Sequence, residues 1–408
     1  MRWGYIIGRM NRFRGLPQLR VIAPFQFSSG LHIQFEARPI QIPEPAARRA
    51  IRTCGLPILI AAFLVMLPAP ARAADGDLKF AELGQCKLES GQAIENCRVG
   101  YRTFGKLNAA RDNAVLVPTW LYGRSSDLVQ FFGEGSATPR LVDTGRFFGI
   151  AIDALGDGVS SSPSNSTTQH ATAFPALTLR DSVAAEYRVV TEVLGLHHLH
   201  AVVGLSMGGE QTFVWSVAYP EFFDLAVPIL GTPRLTSYDL QVKRIMVETI
   251  VDDPGYKNGN YTEEPALKLA NLFGNLVVTT PEYRNQETPR DKRDEFFAKA
   301  EAPQPIDAND RLWQLRAIMT QDVVGERMLA DVARAAKPKF LVIVSAQDHL
   351  VNPQPALDWA AAAGGQVYVS QGSCAHLIMN CDAQAVSSRV LRFLAENGKR
   401  SMAKTIDR

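Results

Sequence analysis

Ser206 lies in Gly204-Leu205-Ser206-Met207-Gly208-Gly209, after the apolar run Leu199-His200-Ala201-Val202-Val203 and before Glu210-Gln211-Thr212-Phe213-Val214-Trp215. A serine placed where a buried strand turns sharply into a helix exposes its hydroxyl for nucleophilic attack. Gly204 and Gly208 stand two residues to either side, where a side chain would collide with the neighbouring strand and helix. Such a hydroxyl needs a base, and the base needs an orienting acid. Phe340-Leu341-Val342-Ile343-Val344 reads as a central parallel strand that ends in Ser345-Ala346-Gln347-Asp348, placing an acid on the same face as the serine. The next such run, Val367-Tyr368-Val369, leads to His376. His376 would take the Ser206 proton, and Asp348 would hold its tautomer and stabilise the imidazolium.

The chain order Ser206, Asp348, His376 is that of the α/β-hydrolase triad. His349 adjoins the acid and cannot easily turn back to meet it, whereas His197, His198 and His200 flank a strand entrance and read as a solvated edge. His170 lies in a polar loop, and Asp358 reads as a solvated helical charge. Acyl transfer also requires donors for the developing oxyanion. The Met207 N–H at the helix start is one. The loop Pro118-Thr119-Trp120-Leu121-Tyr122-Gly123, after the strand at 114–117, offers a second, assigned to Leu121 with Trp120 next.

Around these residues the chain alternates strand and helix. An antiparallel hairpin is expected over 80–101, with its turn at Ser90-Gly91, and buried parallel strands at 114–117, 147–152, 200–203, 226–230, 340–344 and 366–369. Helical periodicity covers 179–194, 207–219, 355–363 and 383–396. The rhythm is that of a mostly parallel sheet flanked by helices. It breaks over 235–334, a run of helical patterns expected to form an inserted lid. The expected organisation is therefore a leader at 1–73, a first core part at 74–234, the lid at 235–334 and a second core part at 335–408. The chain's 408 residues, 46% of them apolar, suffice for one large domain with such an insertion.

The leader differs in kind. Arg48-Arg49-Ala50-Ile51-Arg52 precedes a short apolar core from Leu56 to Leu67, followed by Pro68-Ala69-Pro70-Ala71-Arg72-Ala73. This reads as a secretory signal cleaved after Ala73 and too short to span a membrane, so a periplasmic or secreted protein is expected, with no stable span after signal removal. Residues 1–47 are unusual ahead of a signal and suggest a start site placed too far upstream. Removing ten arginines and two glutamates with residues 1–73 takes the chain's 43 basic and 41 acidic residues to 33 and 39, a net of −6. The apparent basic balance belongs to the leader, and no nucleic-acid partner is implied. Cys54 leaves with it. Cys86 and Cys97 flank the expected hairpin turn, and Cys374 and Cys381 bracket His376, so two disulfides fit an oxidising compartment. No metal site or organic cofactor is expected, and the oligomeric state is open.

Several stretches together resemble the homoserine O-acetyltransferase group of α/β-hydrolase-fold proteins, over about 88–394. They are Tyr101-Arg102-Thr103-Phe104-Gly105-Lys106-Leu107-Asn108, Leu179-Arg180-Asp181, the Ser206 elbow with Tyr219-Pro220, Asp253-Pro254-Gly255-Tyr256 with Gly259-Asn260-Tyr261, and Ile306-Asp307-Ala308-Asn309-Asp310. The resemblance implies the same triad, with Ser206 carrying an acyl group between donor and acceptor. Two positions depart from that group. Leu377 follows His376 where the group has an acid that meets the amino group of homoserine. Val247 falls where it has an arginine for the homoserine carboxylate, with Lys243 or Arg244 as possible substitutes. Each missing charged contact is worth roughly 1.5–3 kcal/mol. The expectation is an exported serine hydrolase acting on a small-molecule carboxylic ester. Acyl transfer to a hydroxyl acceptor is the alternative, and a non-catalytic binding protein on the same scaffold is the second. Trp120, Tyr122, Phe131, Phe132 and Trp313 are candidates for an acyl pocket, with core packing the competing role.

Overall fold

A computed structural model of the chain describes residues 75–397. The segment expected to be a signal, with its expected cleavage after Ala73, and Cys54 lie outside the described residues. β1 (Lys79–Lys87) and β2 (Ala93–Phe104) form the expected hairpin, closed through Gly91 at φ +83°. β3 (Ala114–Pro118) and β4 (Phe148–Ile152) follow, then α1 (Leu179–Arg188), β5 (Leu199–Leu205), α2 (Met207–Ala218) and β6 (Phe223–Ile229). Six helices come next: α3 (Ser237–Val251), α4 (Lys268–Val277), α5 (Pro281–Glu287), α6 (Arg293–Ala300), α7 (Ala308–Ile318) and α8 (Leu329–Ala335). β7 (Lys339–Ser345), α9 (Gln354–Ala363), β8 (Gln366–Ser370) and α10 (Ala383–Asn397) follow to the end of the described residues.

The eight strands form one sheet in the order β1-β2-β4-β3-β5-β6-β7-β8. β1 and β2 pair antiparallel, as do β2 and β4, and every remaining pairing is parallel. Because successive side chains point to opposite faces and both faces are covered, the central strands read as unbroken apolar runs. Leu116, Val202, Ala226 and Val342 pack on one face with Trp215 and Trp359, while Val117, Val203, Val227 and Ile343 pack on the other with Leu394.

The helix expected over 179–194 stays α-helical only to Arg188 and then widens into a π turn, 189–193. Its start is set by a capping box in which Thr178 accepts from the Asp181 N–H and Asp181 accepts from the Thr178 N–H. Asp181 also accepts from the Glu89 N–H, tying the hairpin to α1. The Leu179-Arg180-Asp181 motif therefore works by capping.

Candidate active site

β5 ends at Leu205, and Ser206 turns the chain into α2 at φ 54°, ψ −121°. A non-glycine residue there carries about 1–3 kcal/mol of strain, which the surroundings must hold. The Ser206 N–H donates to the Ile229 carbonyl at 2.8 Å, and the Glu210 N–H donates back to the Ser206 carbonyl at 3.0 Å. A Cβ on Gly204 would stand 2.0 Å from the Gly208 carbonyl oxygen, and one on Gly208 would stand 2.6 Å from that of Pro118. The turn closes only because both residues lack a side chain.

Asp348 follows the carboxyl end of β7, and His376 follows β8. His376 Nε2 lies 2.8 Å from Ser206 Oγ, and Nδ1 lies 2.7 Å from Asp348 Oδ2. The other Asp348 oxygen accepts from the N–H groups of Leu350 and Val351 at 2.9 and 3.0 Å. Both side chains are almost wholly buried, so the carboxylate is held by three donors away from water. The His376 backbone N–H donates to the carbonyl of Val278, just past α4, which joins His376 to the helices between β6 and β7.

Leu121 and Ser206 face one cavity of about 620 Å³, and Met207 opens α2 beside them. Among the described residues neither the Leu121 nor the Met207 N–H donates to a protein acceptor. The loop carrying Leu121 is held from both sides. Gln211 Nε2 on α2 donates to the Thr119 carbonyl at 3.0 Å, and the Tyr122 N–H donates to Gln314 Oε1 on α7 at 2.8 Å. Tyr122 sits at φ 67°. Gln211 and Gln314 were not singled out from sequence, because a buried glutamine in a helix carries no local signal of the loop it meets.

Trp120, Tyr122 and Phe131 line the cavity. Phe132 instead stacks on Phe104, and Trp313 points into the core, where its indole N–H donates to the Phe174 and Pro175 carbonyls. Lys243 and Arg244 do not reach the cavity either. Lys243 is buried and donates to the Leu350 carbonyl at 3.0 Å, and Arg244 is exposed and pairs with Glu248. The helix turns both away, while Met246 lines the pocket in their place. His200 is a further correction. It is buried, stacked on Phe147 at 4.9 Å, with Nε2 3.0 Å from the Leu394 carbonyl, and burial lowers its pKa. His197, His349 and His170 are exposed, and His198 pairs with Asp224.

The cavity also holds a cation that sequence reading passed over. Arg311, on α7, lines it and is only 6% exposed. The motifs of the family resemblance place it there. Asp307 caps α7 by accepting from the Asn309 and Asp310 N–H groups, Tyr256 donates to Asn309 Oδ1, and Asn309 Nδ2 donates to the Gly259 carbonyl. Cys86 and Cys97 lie at disulfide distance with Cα atoms 5.6 Å apart, as do Cys374 and Cys381 at 6.0 Å. Among the described residues no group of three or more His, Cys, Asp or Glu side chains is disposed to hold a metal, and no helix is long and apolar enough to cross a membrane.

An elbow, an acid and a base on the carboxyl edge of a mostly parallel sheet define an α/β hydrolase, and residues 121–380 match the family description "alpha/beta hydrolase fold". The chain belongs to that family. It is 36% identical over 194 residues to ethyl acetate hydrolase of Pseudomonas veronii, covering 47% of this chain and 54% of the relative. It is 29% identical over 317 residues to a homoserine O-acetyltransferase of Methanobrevibacter ruminantium, covering 66% and 62% respectively. The chain thus spans about half the length of its esterase relatives. The solved structure of the acetyl esterase MekB superimposes with a TM-score of 0.71 at 26% identity, over 78% of this chain and 97% of that one.

Proposed function

We propose that this chain is an exported serine ester hydrolase. Ser206 attacks the carbonyl of a small carboxylic ester while His376 takes its proton. The Leu121 and Met207 N–H groups hold the oxyanion, His376 protonates the departing alcohol, and water activated by the same imidazole releases the acid. Asp348 keeps Nδ1 protonated and stabilises the imidazolium. The helices of 235–334 act as a lid over the core parts 74–234 and 335–408, since α3, α4 and α7 all contribute to the cavity wall. The pairings Cys86–Cys97 and Cys374–Cys381 support an oxidising compartment, in keeping with the signal read in the leader.

One observation favours water over an amino-acid acceptor: no carboxylate is among the described residues lining the cavity, and Leu377 lines it beside His376. A zwitterion's ammonium group would find no counter-charge there. The similarity to homoserine O-acetyltransferases keeps acyl transfer as the second reading. The non-catalytic reading needs Ser206 and His376 apart, and their 2.8 Å separation argues against it.

The test follows turnover of short-chain p-nitrophenyl esters with and without L-homoserine. Ser206→Ala is expected to lower kcat roughly ten-thousand-fold or more. Free acid as the product, unchanged by homoserine, is the expected result. O-acyl-homoserine as the main product would replace hydrolysis with transfer, and equal activity in the Ser206→Ala protein would remove the serine mechanism altogether.

A further inference from the structure

Arg311 is an isolated buried cation. Nη1 donates to Asn271 Oδ1 at 2.9 Å, the guanidinium lies 5.1 Å from the centre of the Tyr122 ring, and Nε is buried without a partner. Among the described residues no carboxylate oxygen lies within ion-pair distance of it. The adjacent carboxylate, Asp310, is turned away and bound to the N–H and hydroxyl of Ser164 at 3.0 and 2.6 Å. A guanidinium out of water normally finds an anion, because desolvating it costs more than one amide contact and a ring face return. This one opens instead onto the cavity that holds Ser206, over the ring of the residue next to Leu121.

We infer that Arg311 is the anion-recognition group of this pocket, and that the ester taken by Ser206 carries a carboxylate. The inference rests on the proposed hydrolase reading and narrows its substrate class. It differs from the expectation built on Val247, Lys243 and Arg244, because the guanidinium comes from a different helix. With Leu377 beside the base, the site offers a counter-charge to an anion and none to an ammonium group. The favoured substrates are therefore anionic esters, the charge lying on either the acyl or the alcohol part. The planar fork suits a carboxylate, which would accept from the donors that Asn271 leaves free.

Calorimetry on the Ser206→Ala protein tests this without turnover, using two pairs that differ by one charge: monomethyl against dimethyl succinate, and acetoxyacetate against its methyl ester. In at least one pair the anion is expected to bind about tenfold tighter or more. Adding Arg311→Gln should remove that preference while leaving the neutral member's affinity unchanged, and Arg311→Lys should restore part of it. The inference is overturned if neither pair favours the anion, or if the preference survives Arg311→Gln. The comparison within the Ser206→Ala protein already decides the first point, even if Arg311→Gln fails to fold. Release of acetate from p-nitrophenyl acetate by the unaltered chain reports the hydrolase reading separately, so either can fail alone.

Discussion

Among the described residues two cations are buried in the helices between β6 and β7, and they are buried differently. Lys243 on α3 donates to the Leu350 carbonyl and sits among acids: its charge pulls against the upward shift that burial imposes on the Glu210 carboxyl, a shift to which Asp239 and Asp348 add. Asp239 in turn accepts from the N–H groups of Asn352 and Thr236 and from the Thr236 hydroxyl. The Leu350 that Lys243 holds is the residue whose N–H donates to Asp348. Lys243 thus braces the loop of the acid from behind, out of reach of a substrate. Among the described residues neither cation has a carboxylate within ion-pair distance, but Arg311 faces the cavity and its Nε has no partner. A buried charge with internal partners is part of the scaffold. One whose nearest open volume is the reaction chamber is available to a ligand.

That contrast breaks most readily at Lys243. Lys243→Met should cost about 1–3 kcal/mol of stability, because it leaves the buried Leu350 carbonyl without its donor and removes the cation that offsets the buried Glu210, and denaturant unfolding would show a loss of that size. A cost under about 1 kcal/mol would make the two cations equivalent. Adding Glu210→Gln to Lys243→Met should recover about 1–2 kcal/mol, since neighbours in one network are not additive; strictly additive costs would mean that the two groups do not couple. A third effect is in pH. Burial raises the folded-state pKa of Glu210 to about 8, with both carboxylate oxygens unpartnered, so the fold binds the proton more tightly than the unfolded chain does. The stability this contributes is present below the unfolded pKa and is lost as pH rises toward the folded one. Glu186, bonded to Trp215 and pushed up to about 8 by burial, behaves alike between about 4.5 and 8. Glu186→Gln should flatten the fall in stability across that window by at most ~1.4 kcal/mol per pH unit, read from melts at several pH values. An unchanged slope would mean that the carboxyl titrates normally. The smallest effect belongs to Arg311→Met, expected within about 1 kcal/mol of the parent, because the lost Asn271 contact is offset by removing an unpaired charge. A cost as large as that of Lys243→Met would make Arg311 a structural group and undo the contrast.

Much of the sheet was legible in advance because burial on both faces writes continuous apolar runs into parallel strands. The strand expected at 340–344 is Lys339–Ser345, and that at 366–369 is Gln366–Ser370. Errors gathered where a residue's environment depends on distant chain. The strand entrance at His197, His198 and His200 reads as a solvated edge, yet α10 and Phe147 cover His200. Trp313 and Phe132 were candidates for the pocket alongside Phe131, and nothing local distinguishes an aromatic facing a cavity from one facing the core. Lys243 and Arg244 were proposed from their position one turn before Val247, but helical phase turned one into the scaffold and the other to solvent.

The elbow was determined by the sequence itself: strand, two glycines and a serine within six residues leave the backbone one sterically open path. The order of serine, acid and histidine followed from the same local rules at strand ends. Tertiary structure alone decided that Gln314, 192 residues from Tyr122, holds the loop that carries Leu121, and that Arg311 opens onto the cavity without an acid to meet it. The physical reason is the range of each effect. Steric and hydrogen-bonding rules along a few residues leave a pattern in sequence, whereas the partner of a buried charge is set by whichever distant element packs against it.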